Sequence, residues 1–311
     1  MNIVCLASDP AIDAYLKPLH NSHNLTIYHV QNLSPKEVIE KVADAEVLIT
    51  GPEVTILRRE LLLKLPSLKL LSVLTIGTDW LDLDYCREKG IVVSNIHGAT
   101  AESVAEHTWA MILNLAKRVN EFDREARLNS AYNFSLYKGK EIYGKTLGVL
   151  GLGSIGSQVV RIAKCFNMRI LGINKSQKPM LGVELVDKIT LLKESDVITI
   201  CIPLNSKTEN YISSEEIELV KHGVIIVNCA REKIVNKMAL LEGIKSGKIF
   251  GYGVETPIMQ VIDQNDEYYK YPNIIVVPHN AFNTEDADAK TYNLVVENIE
   301  AFNIGKPQNV V

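Results

Sequence analysis

The chain has 311 residues, of which 47% are hydrophobic and 23% are charged, and its formal net charge is −4 at pH 7. This length is enough for about two domains, and the composition is typical of a globular protein with a buried core. The slightly acidic balance gives no electrostatic reason to expect nucleic-acid binding.

The cysteines and the N-terminal segment predict where the protein resides. The five cysteines form no CxxC pair and are expected to be free, mostly buried thiols in a reducing compartment. The N-terminal "MNIVCLASDP" has no basic region, and its apolar run is too short for a signal peptide. The most apolar window, "ELLLKLPSLKLLSVL", is interrupted by Lys64, Pro66 and Lys69, so it cannot span a bilayer. We therefore expect a cytoplasmic protein that binds no membrane.

Short strand-like runs alternate with helical patterns along the whole chain. The first half gives the strands "NIVCL", "LTIYHV", "EVLI", "LKLLSVL" and "IVVSN", with helices such as "SPKEVIEKVA" between them. The second half gives "TLGVLGLG", "MRILGIN", "DVITICI", "GVIIVN", "IFGYGV" and "NIIVVP". Nearly continuous apolar strands are buried on both faces, which indicates parallel sheets with flanking helices. The sequence therefore predicts an α/β fold with two successive doubly wound parallel sheets.

Two long helical patterns define the domain organisation. "TAESVAEHTWAMILNLAKRVNEFDREARLN" begins near Thr100 and is interpreted as one connecting helix between the domains. "TEDADAKTYNLVVENIEAFNIG" is a second long helix, and nothing strand-like follows it. If this last helix folds back onto the first domain, that domain is discontinuous.

The segment "GLGSIG" follows the strand "KTLGVL" directly and opens the helix "SIGSQVVRIAKCF". In this context Gly151 makes a tight turn, Gly153 lets the backbone approach a pyrophosphate, and Gly156 lets the helix pack against the strand. The helix then begins at Ser154 and Ile155 with free N–H groups and a positive dipole end. This pattern predicts a dinucleotide site.

The next strand determines the preference between NAD and NADP. An acidic residue at its end binds the adenosine ribose of NAD, but "MRILGINKSQKP" has Asn174 there, followed by Lys175, Ser176 and Lys178. An acid would repel a 2′-phosphate, whereas an amide, a hydroxyl and two ammonium groups attract one. We expect NADP to be preferred, and NAD remains possible.

The chain resembles the D-isomer-specific 2-hydroxyacid dehydrogenase family over almost its whole length. The resemblance is carried by "GTDWLDLDYCREKGIVVSN", "SVAEHTWAMILNLAKR", "GKTLGVLGLGSIGSQVVRIAKCFNMRILGIN", "ESDVITICIPLNSKTENYIS", "GVIIVNCAREKIVNKMALLEGIKSGKIFGYGVE" and "PNIIVVPHNAF", in this order. It implies a discontinuous flavodoxin-like substrate domain, residues 1–94 and 283–311, and a Rossmann dinucleotide-binding domain, residues 95–282. The implied reaction is hydride transfer between NAD(P)H and a small 2-oxo acid.

The resemblance assigns the catalytic residues. Arg231, in "NCARE", is expected to bind the substrate's carboxylate and carbonyl oxygen, which suits a planar and permanently charged guanidinium. His279, after "VVP", is expected to be the acid/base that exchanges a proton with the substrate oxygen. The family's usual glycine after the arginine is Glu232 here, and the acid that often closes this motif is Asn236.

A second departure lies in "GVETPIMQ". Counting from Arg231, the family's aspartate falls on Glu255, which is expected to accept a hydrogen bond from the nicotinamide carboxamide. The glutamate that usually pairs with the catalytic histidine falls on Gln260, which cannot ionise and so cannot favour an imidazolium. If the segment is shifted, Asp263 or Asp266 could be the partner instead.

The remaining site residues follow from the same resemblance. The loop of Leu74, Thr75, Ile76 and Gly77 follows a strand end, and its N–H groups are expected to bind the substrate carboxylate. Thr50 and Gly51 are expected to shape the rest of the substrate site, and no metal site is expected. Further cofactor contacts are assigned to Pro203, Thr208, Cys229, Ala230 and Thr108.

Two alternatives to this function remain open. Formate dehydrogenases of the wider family also carry glutamine beside the histidine and move no proton, and "LTIGTD" resembles their loop, although Thr100 stands where they have asparagine. A non-catalytic, nucleotide-sensing corepressor is the second alternative.

Glyoxylate, hydroxypyruvate and pyruvate are all possible substrates. The resemblance also implies a homodimer, formed through the long helix and the arm "LNSAYNFSLYKGKEIYG".

Overall fold

The computed structural model describes residues 1–128, 138–175, 178–256, 263 and 265–311. The chain forms two compact units. The first unit is Met1–Thr100 with Asn283–Val311, and the second is Ala101–Phe282. Within the described ranges, no helix has the length and apolar character needed to cross a membrane.

The first unit contains a sheet of parallel strands in the order β2-β1-β3-β4-β5. Its strands are β1 Asn2–Ala7, β2 Asn24–His29, β3 Val47–Thr50, β4 Leu70–Val73 and β5 Val92–Ser94. Its helices are α1 Ile12–Leu16, α2 Pro35–Val42, α3 Arg59–Leu62, α4 Leu83–Lys89 and the C-terminal α11 Glu285–Asn303. The strand order reverses between β1 and β3, as in doubly wound flavodoxin-like sheets.

The C-terminal segment returns to the first unit. Thr284 caps α11 by accepting a hydrogen bond from Ala287 N at 3.2 Å, and the buried face of the helix packs in the core of this sheet. Beyond the helix, Val311 N donates to Val93 O at 3.1 Å, and Ser94 forms an antiparallel bridge with Val310. The expectation that nothing strand-like follows the helix therefore missed a short bridge at the edge of β5.

The second unit contains seven parallel strands in the order β12-β11-β10-β9-β6-β7-β8. They are β6 Thr146–Leu150, β7 Arg169–Ile173, β8 Glu184–Leu185, β9 Val197–Ile200, β10 Val224–Asn228, β11 Ile249–Glu255 and β12 Ile274–Val277. The helices are α5 Ala101–Lys117, α6 Val119–Leu128, α7 Ser154–Ala163, α8 Lys188–Glu194, α9 Ser214–Leu219 and α10 Lys237–Lys245. The order reverses between β6 and β9. The prediction of two doubly wound parallel sheets, the first in a discontinuous domain, is confirmed.

Three details differ from the sequence expectations. The long connecting helix is two helices, because Arg118 has φ +55° and its guanidinium donates to Glu121 one turn later. Strand β8 was not predicted, since its two residues are exposed and have no apolar pattern. All five cysteines are free as expected, but Cys165 is exposed rather than buried.

Candidate active site

The candidate site lies at the carboxyl edge of the second sheet. In register, Ile200 of β9 lies between Leu150 of β6 and Asn228 of β10. At the same edge Glu255, the last residue of β11, lies opposite Val277, the last residue of β12. Because parallel strands end together, the loops after these strands converge at one edge. Doubly wound sheets bind their ligands at this edge, near the point where the strand order reverses.

The glycine-rich turn has the geometry of a pyrophosphate cradle. Gly151 has φ +101°, and a Cβ there would lie 2.7 Å from the carbonyl oxygen of Cys201. A Cβ on Gly156 would overlap the carbonyl oxygen of Gly151, so helix α7 can approach the turn only with glycine there. A Cβ on Gly153, in contrast, would meet open space. The first and third glycines are thus needed for packing, and the second leaves room for a ligand.

Helix α7 begins at the edge of this open space. Gly153 is its N-cap residue, and no side chain caps the first turn, in which Ser154 and Ile155 are half-buried. Uncapped N–H groups and the positive end of the helix dipole attract phosphate. The turn therefore fits the diphosphate of a dinucleotide.

The residues after β7 are the ones expected to distinguish NADP from NAD. Asn174 follows the last strand residue and is half-buried, whereas Lys175 and Lys178 are exposed. Neither lysine forms an ion pair with another residue in the described part of the chain, so both ammonium groups can meet an anion. Ser176, the predicted hydroxyl contact, lies outside the described residues.

Arg231 follows β10 in an extended conformation, with φ −143° and ψ 133°. The fully buried side chain of Asn228 fixes this loop: its Nδ2 donates to Arg231 O at 2.8 Å, and its Oδ1 accepts from Ala230 N at 3.1 Å. The Arg231 guanidinium is half-buried, and its Nη1 donates to Ala230 O at 2.9 Å. Asn228 thereby sets the course of the chain on which Arg231 and the predicted cofactor residues Cys229 and Ala230 lie.

The departures of the arginine loop from the family pattern have structural consequences. Asn236 caps α10, since its Oδ1 accepts from Ala239 N at 3.0 Å, so an amide replaces the usual acid as cap. Glu232 lies 4.0 Å from Lys237, whose ammonium donates to Asp266 at 2.5 Å. Glu232 is thus part of a charged cluster beside the arginine loop.

His279 occupies a strained turn after β12. Its φ is +47°, its N–H donates to Val277 O at 3.0 Å, and its half-buried ring lies 5.7 Å from the ring of Phe282. A histidine with positive φ persists only where its surroundings hold it in place. Ser103 on α5 contributes to this by donating to Ala281 O at 2.7 Å.

Glu255 holds the same turn from the opposite side. It is 3% exposed, and its Oε1 accepts from Asn280 N and Ala281 N, both at 2.8 Å. Burial raises the pKa of Glu255, and the two backbone N–H groups and the nearby positive charge of Arg231 oppose this shift. Glu255 is thus a buried carboxylate whose ionised form binds the backbone directly after His279.

The partner of His279 was predicted from the segment around Gln260, and Gln260 lies outside the described residues. The shifted alternatives, Asp263 and Asp266, have hydrogen-bond partners of their own. Asp266 is bound by Lys237 and by Tyr268 N at 2.9 Å, and Asp263 is exposed and accepts from Asn265 N at 2.9 Å. Asp266 therefore belongs to the cluster beside the arginine loop.

Thr108 and Thr208, two of the predicted cofactor contacts, both donate their hydroxyls to backbone carbonyl oxygens. Thr108 has no exposed surface, and its hydroxyl donates to Val104 O at 2.8 Å and contacts the thiol of Cys229. The direct cofactor contact expected of Thr108 stays a prediction. Thr208 donates to Pro203 O at 2.6 Å and fixes the loop after β9.

His107 is a residue of the site that sequence reasoning missed. It lies on α5 one turn after Ser103, and its Nε2 is 3.6 Å from Oε1 of Glu255. The Nε2 atom is buried and has no hydrogen-bond partner in the described part of the chain, and burial lowers the pKa of His107. The i, i+4 spacing of a hydroxyl and an imidazole in "SVAEH" was the available signal.

The predicted carboxylate loop lies in the first unit, at the carboxyl edge of its sheet. Its carbonyl groups are held from within: Thr75 Oγ1 and Trp80 Nε1 donate to Gly77 O at 2.8 and 3.0 Å, and Asn95 Nδ2 donates to Ile76 O at 2.9 Å. The N–H groups of Thr75, Ile76 and Gly77 donate to no acceptor among the described residues. A loop with fixed carbonyls and unused N–H groups can bind an anion.

Two other features of this edge complete the description. Leu74 N donates to Thr50 O at 3.0 Å, which joins the carboxylate loop to the end of β3. The side chain of Thr50 is fully buried, and its hydroxyl has no hydrogen-bond partner among the described residues. Among the described residues, no group of three His, Cys, Asp or Glu side chains could hold a metal ion.

Comparison with known proteins identifies the family. The model of the "D-isomer specific 2-hydroxyacid dehydrogenase, NAD binding domain" matches residues 109–281, which is more than half of the chain. The chain belongs to the D-isomer specific 2-hydroxyacid dehydrogenase family. The glycine-rich turn, Arg231, Glu255 and His279 all lie within the matched NAD-binding domain.

Relatives within this family cover the first unit as well. A D-3-phosphoglycerate dehydrogenase of Methanocaldococcus jannaschii is 36% identical over 98% of this chain and 59% of its own length. A glyoxylate reductase of Korarchaeum cryptofilum is 33% identical over 89% of this chain and 86% of its own. The structure of D-lactate dehydrogenase from Aquifex aeolicus, complexed with NAD and lactic acid, is 32% identical, with a TM-score of 0.84 over 97% of this chain and 96% of that one. Family and relatives support an NAD-dependent hydroxy acid dehydrogenase activity.

Proposed function

We propose that this dehydrogenase reduces small 2-oxo acids to D-2-hydroxy acids with NADPH, and with NADH less well. The observation that carries the proposal is that the pyrophosphate cradle, Arg231 and His279 follow β6, β10 and β12 at the same edge of one parallel sheet. A family member with this set of groups has a cofactor site, a fixed cation and a proton carrier. These are the components that carbonyl reduction needs.

Arg231 binds the carboxylate and the carbonyl oxygen of the substrate. Its permanent charge and planar donors suit both oxygens, and Asn228 fixes the backbone on which it lies. The loop Leu74–Gly77 is proposed to bind the carboxylate through the unused N–H groups of Thr75, Ile76 and Gly77. These donors are in place before binding, because the loop's carbonyls are already held.

His279 is the general acid of the reduction and the general base of the oxidation. The glycine-rich turn would hold a reduced dinucleotide, which would supply the hydride for the carbonyl carbon. His279 gives its proton to the substrate oxygen as negative charge develops there, and Arg231 stabilises that charge. Glu255 keeps the turn of His279 in place through two backbone N–H groups.

The preference for NADPH rests on the end of β7. Two exposed ammonium groups and a neutral Asn174 favour a 2′-phosphate, because a carboxylate at this place would repel it. Lysine binds phosphate as a point charge, without the two-pronged contact of arginine, so NADH remains a usable cofactor.

The substrates we propose are glyoxylate, hydroxypyruvate and pyruvate. The names of the relatives, which include glyoxylate reductase and D-lactate dehydrogenase, support this choice of small 2-oxo acids.

We further propose a cytoplasmic homodimer formed through α5 and the arm after α6. The exposed apolar side chains of Val119, Leu128 and Tyr143 in this region support the dimer.

The test is a small matrix of assays. NADPH or NADH is offered with glyoxylate, hydroxypyruvate and pyruvate, and NADP⁺ or NAD⁺ with formate. The proposal expects turnover of at least one oxo acid, with the higher kcat/KM for NADPH. Formate oxidation without oxo-acid reduction would support the formate dehydrogenase hypothesis. Cofactor binding without any turnover would support a nucleotide sensor.

A further inference from the structure

The turn that carries His279 is fixed by a buried carboxylate. Oε1 of Glu255 accepts two backbone N–H groups from Asn280 and Ala281, and the residue is 3% exposed. A carboxylate that takes a proton on this oxygen can no longer accept both bonds equally well. The bonds that hold the turn of His279 are therefore strongest while Glu255 is ionised, although burial favours the neutral form.

His107 lies next to the same carboxylate oxygen. Its Nε2 is 3.6 Å from Oε1 of Glu255, slightly beyond hydrogen-bond distance, and has no other partner in the part of the chain that the structure describes. A buried polar atom without a partner is costly, and a small movement of the ring would give it one. The proton on Nε2 would then point at Glu255.

Helix α5 contacts the turn through Ser103 and, one helical turn later, faces the carboxylate that holds the turn. Ser103 donates to Ala281 O at 2.7 Å, and His107 faces the carboxylate that accepts Ala281 N. The carbonyl of Ala281 is thus bound by α5 directly, and its N–H is bound by the carboxylate that His107 faces. This face of α5 is therefore suited to holding the turn in position.

We propose that His107 is a positioning residue for the general acid, donating from Nε2 to Glu255 so that this carboxylate stays ionised and holds the turn of His279. The inference rests on the proposed role of His279. His107 touches neither substrate nor the reacting atoms in this proposal, and it acts only through Glu255 and the turn.

Other charged or titratable groups lie near His107 and Glu255 and affect the ionisation of Glu255. Arg231, after β10, favours the ionised form of Glu255, and the thiol of Cys229 lies within electrostatic range of the same carboxylate. His279 itself lies on the turn.

The first experiment compares His107→Leu, His107→Gln and His107→Asn in NADPH-dependent oxo-acid reduction. Leucine removes the donor, and asparagine is too short to place one at Nε2, whereas glutamine can. Leu and Asn are expected to lower kcat about tenfold, since a hydrogen bond to a charged group is lost, and Gln to lower it less. His222→Leu, an exposed histidine at the opposite edge of the same sheet, is the matched control and should match the parent.

The pH profile distinguishes positioning from a general structural defect. Without the His107 donor, Glu255 takes up a proton at higher pH, so the acid limb of kcat should move upward by roughly one unit in His107→Leu. In His107→Gln the limb should stay near that of the parent. If His107→Leu lowers kcat by the same factor at every pH, or if the Leu, Asn and Gln variants lose kcat equally, the proposal is wrong. If His107→Leu does not fold, the pH profiles of His107→Asn and His107→Gln are compared instead, because only glutamine can replace the Nε2 donor.

A double variant separates this inference from the proposed function. If His107 acts through His279, adding His107→Leu to His279→Ala should cause little further loss. Full additivity, or weakened NADPH binding in His107→Leu, would mean that His107 acts on the cofactor instead. If His279→Ala loses activity and His107→Leu does not, only the positioning role fails. If His279→Ala is fully active, the proposed function of His279 fails first.

Discussion

The carboxyl edges of the two sheets have similar architecture and different chemistry. Both sheets are parallel, and both reverse their strand order, between β1 and β3 in the first unit and between β6 and β9 in the second. The second edge presents ionisable side chains, Arg231 and His279, on loops that buried partners hold. The first edge presents backbone N–H groups, on a loop whose carbonyls Trp80 and Asn95 occupy.

This difference indicates a division of work under the proposed function. Charged side chains can exchange protons and stabilise developing charge, so changes at the second edge should act on kcat. Backbone N–H groups bind the substrate and the transition state about equally well, so changes at the first edge should act on KM. The predictions below test this contrast, from the largest expected effect to the smallest.

Replacing Arg231 should have the largest effect. Arg231→Ala leaves the substrate carboxylate without its cation, and the loss of one partner of a buried charge pair costs about 4 kcal/mol, or roughly a thousandfold in kcat/KM. Steady-state kinetics with glyoxylate and NADPH measure this loss. Arg231→Lys should recover only part of it, because an ammonium cannot make the two-pronged contact.

NADPH binding is the control for this variant. The Arg231 side chain is proposed to bind substrate and not cofactor, so the Kd for NADPH should stay close to that of the parent in both variants. A parallel loss of cofactor affinity would show that Arg231 supports the fold of the edge and would remove the contrast between the two units.

Replacing His279 should have the second largest effect. His279→Ala should lower kcat for oxo-acid reduction by about a hundredfold, which is the usual effect of losing a general acid. In the parent, the rate of reduction should fall at high pH, because reduction needs the protonated ring. Gln260→Glu should move this descending limb to higher pH by about one unit, if the new carboxylate reaches the ring.

Both profiles are measured with an oxo acid under saturating NADPH. Equal reduction by His279→Ala and the parent would exclude the proton-carrier role. A formate oxidiser gives a different pattern, since no proton moves in that reaction and neither variant would act through a protonation limb.

Sequence patterns were sufficient for most of the fold and for part of the site. Apolar runs such as "GVIIVN" are buried on both faces, so hydrophobicity alone places them as central strands. The glycines at 151, 153 and 156 are detectable because their requirement is local, set by one turn and one helix. The break at Arg118 was not detectable, since neither glycine nor proline marks it.

The contacts that hold the site in place could not be read from the sequence. Glu255 and the turn after His279 are separated by a whole loop, and only the pairing of β11 with β12 brings them together. The same holds for His107, whose place on an apolar helix suggests packing until the helix is docked on the sheet. Residues of this kind depend on tertiary register, which periodicity does not encode.

Changing the end of β7 should have a smaller effect, confined to the cofactor. Asn174→Asp places a carboxylate where a 2′-phosphate would bind, and one displaced unit charge is worth about 1–2 kcal/mol, or roughly tenfold in Kd. NADPH affinity should fall and NADH affinity should rise or stay constant, measured by fluorescence titration of each cofactor. Equal affinity of the parent for both cofactors would contradict the proposed preference.

The smallest effect is expected at the first edge, and it tests the contrast most directly. Thr75→Val removes the hydroxyl that donates to Gly77 O at 2.8 Å and receives Trp80 Nε1 at 3.2 Å, so the loop loses part of its internal support. One hydrogen bond of this kind is worth about 1 kcal/mol, so KM for the oxo acid should rise severalfold while kcat stays nearly constant. Thr78→Val is the matched control, because its hydroxyl makes no hydrogen bond within the described residues. A fall in kcat with unchanged KM would place the loop among the groups that act in the transition state, and the division of work between the two edges would then be wrong.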